Sequence, residues 1–196
     1  MNKILFVASH LYSGSFRLLQ ILNENPRIEI RDTGWQYNHP QDLDNLLAVG
    51  HKLDSSAAIY GDHLLYNTSL LSKAFYHFSK FIYVIREAKP TLNGIVSDAN
   101  LPYNQETAFR YYCFRLRRMY EMARRTPGAI FLREEDIPKS LLLIQEEHEL
   151  KHPLVDIPAE VSGEDVIDAT LAVQAQDVYE KYLFYFKQLN LKFVSN

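Results

Sequence analysis

Residues 3–22, KILFVASHLYSGSFRLLQIL, decide the reading of the chain. Ile4-Leu5-Phe6-Val7-Ala8 is a short apolar run of the kind that forms a buried strand. A Ser-rich break around Gly14 follows. Phe16, Leu18, Leu19, Ile21 and Leu22 then repeat at helical spacing. Strand, tight turn and helix make a unit in which backbone N–H groups and a helix N-terminus converge on an anion. Ser13-Gly14-Ser15 adds small side chains, hydroxyl donors and a backbone free to turn sharply. Arg17 sits in the first turn of the helix, where a cation opposes the dipole unless an anion is bound beside it. The same residues also suit an ordinary Ser-capped loop with a surface arginine. No GxxxxGK[ST] motif is present.

The rest of the chain extends the pattern. Pro26 ends the first helix. Residues 27–31 alternate as a strand, and 32–41 read as a loop holding Trp35, Tyr37 and His39. Leu43, Leu46, Leu47 and His51 mark a helix. Residues 57–60 form a second buried strand ending at Gly61-Asp62-His63, followed by a helix around 69–79. Phe81–Ile85 is the clearest strand and stops at Arg86. Helices are expected over 88–98 and 104–125. A strand over 129–132 leads into an acidic helix start at Glu134-Glu135-Asp136. Ser162 with Asp165 predicts a capping box for a last helix running to about residue 189.

Strands alternating with helices predict one α/β domain over residues 1–196, a three-layer α/β/α sandwich around a parallel sheet. Ligands of such sheets lie beyond the carboxyl ends of the strands. That rule gathers Ser9–Ser15, Asp32–Tyr37, Gly61–His63 and Arg86–Lys89 on one edge. Arg86 is placed to fork onto a phosphate, and His63 to act as a general base, with Asp62 to orient or replace it.

Composition narrows the function. A net charge of -3 argues against a nucleic-acid partner. One cysteine excludes a disulfide framework and a multi-cysteine metal site. No stretch approaches a membrane span or a signal-peptide core, so no membrane partner and a cytoplasmic location are expected. The six arginines of 104–125 form a basic face that an anion or neighbouring acidic residues would neutralise.

Three segments in order resemble the sulfotransferases that use 3′-phosphoadenosine 5′-phosphosulfate: 4–26, 80–95 (KFIYVIREAKPTLNGI) and 129–137 (AIFLREEDI). GDHLL, 61–65, falls where cytosolic members carry their catalytic histidine. The resemblance implies a P-loop sulfotransferase-like fold that moves a sulfuryl group from that nucleotide to a hydroxyl or amine acceptor, without a metal. Ser13, Gly14, Ser15, Phe16 and Arg17 would cradle the 5′-phosphosulfate, and Arg86 and Gly94 would lie at the 3′-phosphate. His63 would deprotonate an acceptor that is a small molecule or carbohydrate. A homo-oligomer is compatible with this reading. Tyr12 occupies the position of the family's basic catalytic residue, with His10 and Arg17 as candidate replacements. Gly94 stands for a serine donor, with Asn93 or Ser97 to compensate. The basic, glycine-containing loop that covers the nucleotide has no counterpart; Lys151-His152 is the nearest basic stretch. These departures define the alternative, a non-catalytic nucleotide- or anion-binding protein of the same fold.

Overall fold

The computed structural model describes residues 3–37, 39, 41–42, 44–46, 48, 58–66, 76, 79–158 and 165–194. In chain order the elements are β1 (Lys3–Ser9), α1 (Ser15–Asn23), β2 (Ile28–Arg31), β3 (Ile59–Leu64), β4 (Ser79–Ile85), α2 (Ala88–Ser97), α3 (Gln105–Ala123), β5 (Ile130–Arg133), a 3-10 turn (Glu134–Asp136), α4 (Ile137–Glu147), α5 (Ala169–Lys187) and β6 (Lys192–Phe193). The described residues of 41–48 are also helical, whereas Leu43, Leu47, His51 and most of the helix expected around 69–79 lie outside the described residues.

Six parallel strands form one sheet in the order β2-β3-β1-β4-β5-β6. Successive side chains of a strand face opposite sides, and the two sides are covered by different helices. Ile4, Phe6 and Ala8 of β1 join Phe81, Tyr83 and Ile85 of β4 in one cluster, covered by α2, α3 and α5. Leu5 and Val7 join Ile82 and Val84 in the other, covered by α1 and α4. The expected three-layer α/β/α arrangement is therefore the one observed. Fully burying a leucine such as Leu18 or Leu22 contributes about 1.5–3 kcal/mol, so the apolar stripe of α1 is what holds that helix on the sheet.

Helix boundaries follow local chemistry. Asn23 at the end of α1 donates to Ile30 O and accepts from Ile30 N, each at 2.8 Å, which pins the helix to β2. Asn104 and Thr107 form a reciprocal capping box on α3. The last helix starts later than the sequence suggests: Asp168 caps α5 by accepting from Thr170 N and Leu171 N. Asp165 instead binds Lys89 at 2.6 Å and Asn93 at 2.8 Å, while Ser162 lies outside the described residues.

β3 also differs from expectation. Gly61, Asp62 and His63 are inside the strand and pair with Leu5, Phe6 and Val7. A side chain at 61 would run into the Leu5 carbonyl, so the strand needs glycine there for close approach. Buried polar residues in a strand break the hydropathy pattern that marks its end in the sequence.

The arginines of α3 divide between two environments. Arg110 pairs with Glu106, and Arg117 and Arg118 pair with Glu121. Arg115 is 2% exposed and turns inward. It donates to Ser9 O at 2.7 Å and to Leu64 O. One guanidinium thereby ties the carboxyl ends of β1 and β3, and burial lowers its pKa to about 10.

Candidate functional site at the carboxyl edge of the sheet

After β1 the chain turns into α1 on one face of the sheet, and after β4 it turns into α2 on the other. Adjacent parallel strands whose connections leave in opposite directions open a crevice at their carboxyl ends. A cavity of about 390 Å³ lies there, with Tyr12, Gly14, Phe16, Arg17, Arg86 and Glu134 in its wall. Asp32, Tyr66 and Asp98 also reach it.

The turn has the geometry of a helix N-terminus approached by a tight loop. Gly14 is the N-terminal cap of α1 at φ 78°, a left-handed conformation suited to glycine. α1 has no side-chain cap and no acidic residue in its first turn. Ser13 is buried, and its Oγ has no hydrogen-bond partner among the described residues. Ser15 Oγ accepts from Ser9 Oγ at 2.9 Å.

Tyr12 adopts φ 56°. Its hydroxyl donates to Asp98 at 2.9 Å. Its ring lies on Gly94, where a Cβ would overlap it. Hydrogen bonding, from Asn100 first and then Tyr12, holds the Asp98 carboxyl below its usual range. Asn93 does not compensate for Gly94, since its Oδ1 accepts from Val166 N and Ile167 N and its amide donates to Asp165.

Arg86 follows β4 and is held at both backbone atoms: its N–H donates to His10 Nε2 at 3.1 Å, and its carbonyl accepts from Tyr112 at 2.9 Å. Its Nε lies 3.0 Å from Glu134 Oε2. Arg17 donates to both Asp156 oxygens, at 2.7 and 2.8 Å, and to Ile157 O at 2.6 Å. Both arginines of the cavity wall therefore carry a carboxylate partner. His10 does not add positive charge. It is fully buried, and desolvation, with the Arg115 and Arg86 charges beside it, lowers its pKa to about 4. Its Nδ1 lies 2.8 Å from Leu11 O, and with Nε2 accepting from Arg86 this fixes the tautomer protonated at Nδ1.

His63 and Asp62 point to opposite faces of the sheet. The Asp62 carboxylate faces the α2–α3 side and accepts from Thr33 N at 3.0 Å, from the Thr33 hydroxyl and from Tyr37 at 2.5 Å. Burial and Asp62 raise the Tyr37 pKa strongly. Asp62 also accepts from the His63 backbone N–H at 2.9 Å, but its carboxylate is engaged on the far side of the strand from the imidazole and does not replace His63. His63 Nε2 lies 2.7 Å from Ser9 Oγ. Asp32 Oδ1 stands 3.4 Å from Nδ1, close enough to pair with an imidazolium but off the line of a hydrogen bond. The Phe16 ring meets the imidazole edge-on at 5.2 Å. His63 is not in the cavity wall among the described residues, whereas Asp32 and Phe16 are.

Two groups of this site were given no role in the sequence reading: Asp32, placed at the ligand edge only as the start of the Asp32–Tyr37 segment, and Glu134, taken as a helix-start acid. Glu134 lies within the 129–137 segment, but nothing in that segment marks its side chain as facing the β1 turn. Trp35 is exposed and Tyr37 enters the core, so the 32–37 loop brings no aromatic ring to the cavity wall, where Tyr66 joins Tyr12 and Phe16. Lys151-His152 does not cover the turn: the His152 carbonyl accepts from Asn25, just past the far end of α1. The segment near the turn is 156–158, held by Arg17. Among the described residues no group of three His, Cys, Asp or Glu is placed to hold a metal, and no helix is long and apolar enough to cross a membrane.

No protein-family model and no curated protein matches the sequence. Among solved structures, the chain is similar to a crystal structure of mouse sulfotransferase SULT7A1 complexed with PAP, at 15% identity and a TM-score of 0.45. The similarity covers 93% of this chain and 66% of that one, so this chain spans slightly less than two thirds of the neighbour's length.

Proposed function

We propose that the cavity binds 3′-phosphoadenosine 5′-phosphosulfate and that the protein is a sulfotransferase acting on a hydroxyl or amine acceptor. The observation that carries this reading is the convergence of the Gly14 turn and Arg86 on one cavity, from strand ends far apart in the sequence. The buried, unpartnered Ser13 Oγ and the uncapped N-terminus of α1 fit an anionic group. The nucleotide supplies the transferable sulfuryl group. Ser13, Gly14, Ser15, Phe16 and Arg17 would hold its 5′ end, and Arg86 its 3′-phosphate beside Gly94. Tyr12 would stand beside the 5′ end without bringing it charge, its hydroxyl being given to Asp98.

The acceptor's proton would pass to the Asp32–His63 pair. Asp32 is its member at the cavity wall, and His63 is backed by Ser9. A general base typically contributes about 10²–10⁴-fold in rate, so His63→Ala is expected to lower donor turnover by that factor. Undiminished turnover would remove His63 from the mechanism.

The decisive binding test is thermal unfolding with 3′,5′-adenosine bisphosphate, AMP, ATP and sulfate in parallel. At about 100 times its dissociation constant a ligand stabilises by ~2.7 kcal/mol. For a chain of this size that raises Tm by about 5–11 °C. A shift with the bisphosphate alone is expected, and no shift with any of the four would overturn the reading.

A second reading keeps the nucleotide and drops the transfer. It is favoured by Tyr12, which brings no charge to the turn, and by the carboxylate partners of Arg17 and Arg86. Bisphosphate binding without donor turnover would select it.

A further inference from the structure

Glu134 stands in the anion site. It is the first residue after β5, and its side chain crosses to the β1 turn. Its Cγ fills the space that a Cβ on Gly14 would need. Its carboxylate lies 3.0 Å from Arg86 Nε, and both side chains are only 17% exposed. Gly14, Arg86 and Glu134 share the cavity wall. An acidic side chain thus covers the glycine of the turn and engages the arginine that a ligand phosphate would use.

We propose that Glu134 is an internal competitor for the anion and sets the affinity and charge preference of the cavity. This rests on the anion-binding reading of the turn and Arg86. A phosphate or sulfate can reach Arg86 in two ways. It displaces Glu134, which forfeits a partly buried ion pair, or it binds beside Glu134, which places like charges together. Both routes weaken the binding of highly charged anions. Arg17 offers no free charge in compensation, since it is engaged by Asp156. The cavity therefore discriminates against multiply charged ligands unless Glu134 is neutralised or moved.

Glu134→Gln keeps the methylenes over Gly14 and removes the charge; Glu134→Ala removes both. Glu135, whose carboxylate pairs with Arg133, supplies the control Glu135→Gln. Calorimetric titration with 3′,5′-adenosine bisphosphate is expected to show binding about tenfold tighter or more for Glu134→Gln and Glu134→Ala, and unchanged for Glu135→Gln. Binding by the Glu134 variants alone, with none by wild type, supports competition by Glu134 at the anion site and overturns the reading that the wild-type cavity binds this nucleotide. Wild-type binding that neither Glu134 variant tightens would overturn it and leave the nucleotide reading standing. No binding by wild type or by either Glu134 variant would overturn both.

Discussion

The Tyr12 ring packs so closely on Gly94 that a side chain at position 94 would overlap it. The two positions depart from the sulfotransferase pattern as one packing unit. The aromatic ring occupies the space next to α2 that a serine side chain would need. Gly94→Ser forces the ring to move while Tyr12 is held at φ 56° and by Asp98. Overpacking of this kind costs about 1–3 kcal/mol. Tyr12→Gly relieves both the ring and the positive φ, so the double variant is expected to be more stable than the sum of the single changes predicts. Urea unfolding of the four proteins in a double-mutant cycle measures the coupling; simple additivity would refute the pairing.

Asp62 organises the loop after β2. Asp62→Asn keeps the shape but replaces a charged acceptor that takes the Thr33 N–H, the Thr33 hydroxyl and the Tyr37 hydroxyl. Hydrogen bonds to charged groups are worth about 1.5–3 kcal/mol each, and the amide retains part of them. A loss of about 2–4 kcal/mol in denaturant unfolding is expected. Tyr37→Phe in the Asp62→Asn background should then cost less than Tyr37→Phe alone.

Arg115 joins two strand ends from the interior. Arg115→Ala strands the Ser9 and Leu64 carbonyls and opens a cavity under α3. A buried acceptor left unsatisfied costs about 1–3 kcal/mol, so the two carbonyls together lose about 2–6 kcal/mol. Arg115→Lys cannot reproduce the two-pronged geometry and should recover only part of the loss. Thermal unfolding of the three proteins ranks them.

Stability is expected to decline in acid because of His10. Its folded pKa is about 4 against 6.5 for the free side chain, lowered chiefly by burial. The unfolded chain therefore takes up the proton first. The stabilising contribution is whole above pH 6.5, falls as pH drops from 6.5 to about 4, and is lost below that. Each pKa unit corresponds to 1.36 kcal/mol, so the interval amounts to about 3 kcal/mol. Unfolding free energies of wild type and His10→Gln, followed over this window, should converge as pH falls. Parallel curves would exclude His10 as the source.

The apolar strands were legible because their burial leaves unbroken runs: Ile4–Ala8 and Phe81–Ile85 lie where their composition puts them. Helix α3 was legible from the helical spacing of Phe109, Tyr112, Cys113, Leu116, Tyr120 and Ala123, of which Tyr112, Leu116 and Ala123 are the buried ones. β3 was cut short because Asp62 and His63 are polar residues buried in a strand, made tolerable by partners from 32–37 and from Ser9. No local pattern announces such partners. The start of α5 was misplaced because several Ser and Asp residues compete as caps and tertiary contacts engage Asp165 elsewhere. In the candidate site, the turn and Arg86 were readable because each ends a strand. The Glu134–Arg86 pair was not, since it joins side chains from different strand ends and depends on sheet order.

The topology also bears on how the chain acquires its site. β1 carries the Ser13–Gly14–Ser15 turn and has no sequence-adjacent partner: Ile4 is flanked by Tyr60 on one side and Ser79 on the other. Closing such distant pairings makes parallel sheets slow to form. The turn cannot be positioned against Arg86 until β4 has docked on β1. Refolding should therefore show ligand competence emerging together with the final tertiary structure, with no early burst of nucleotide binding.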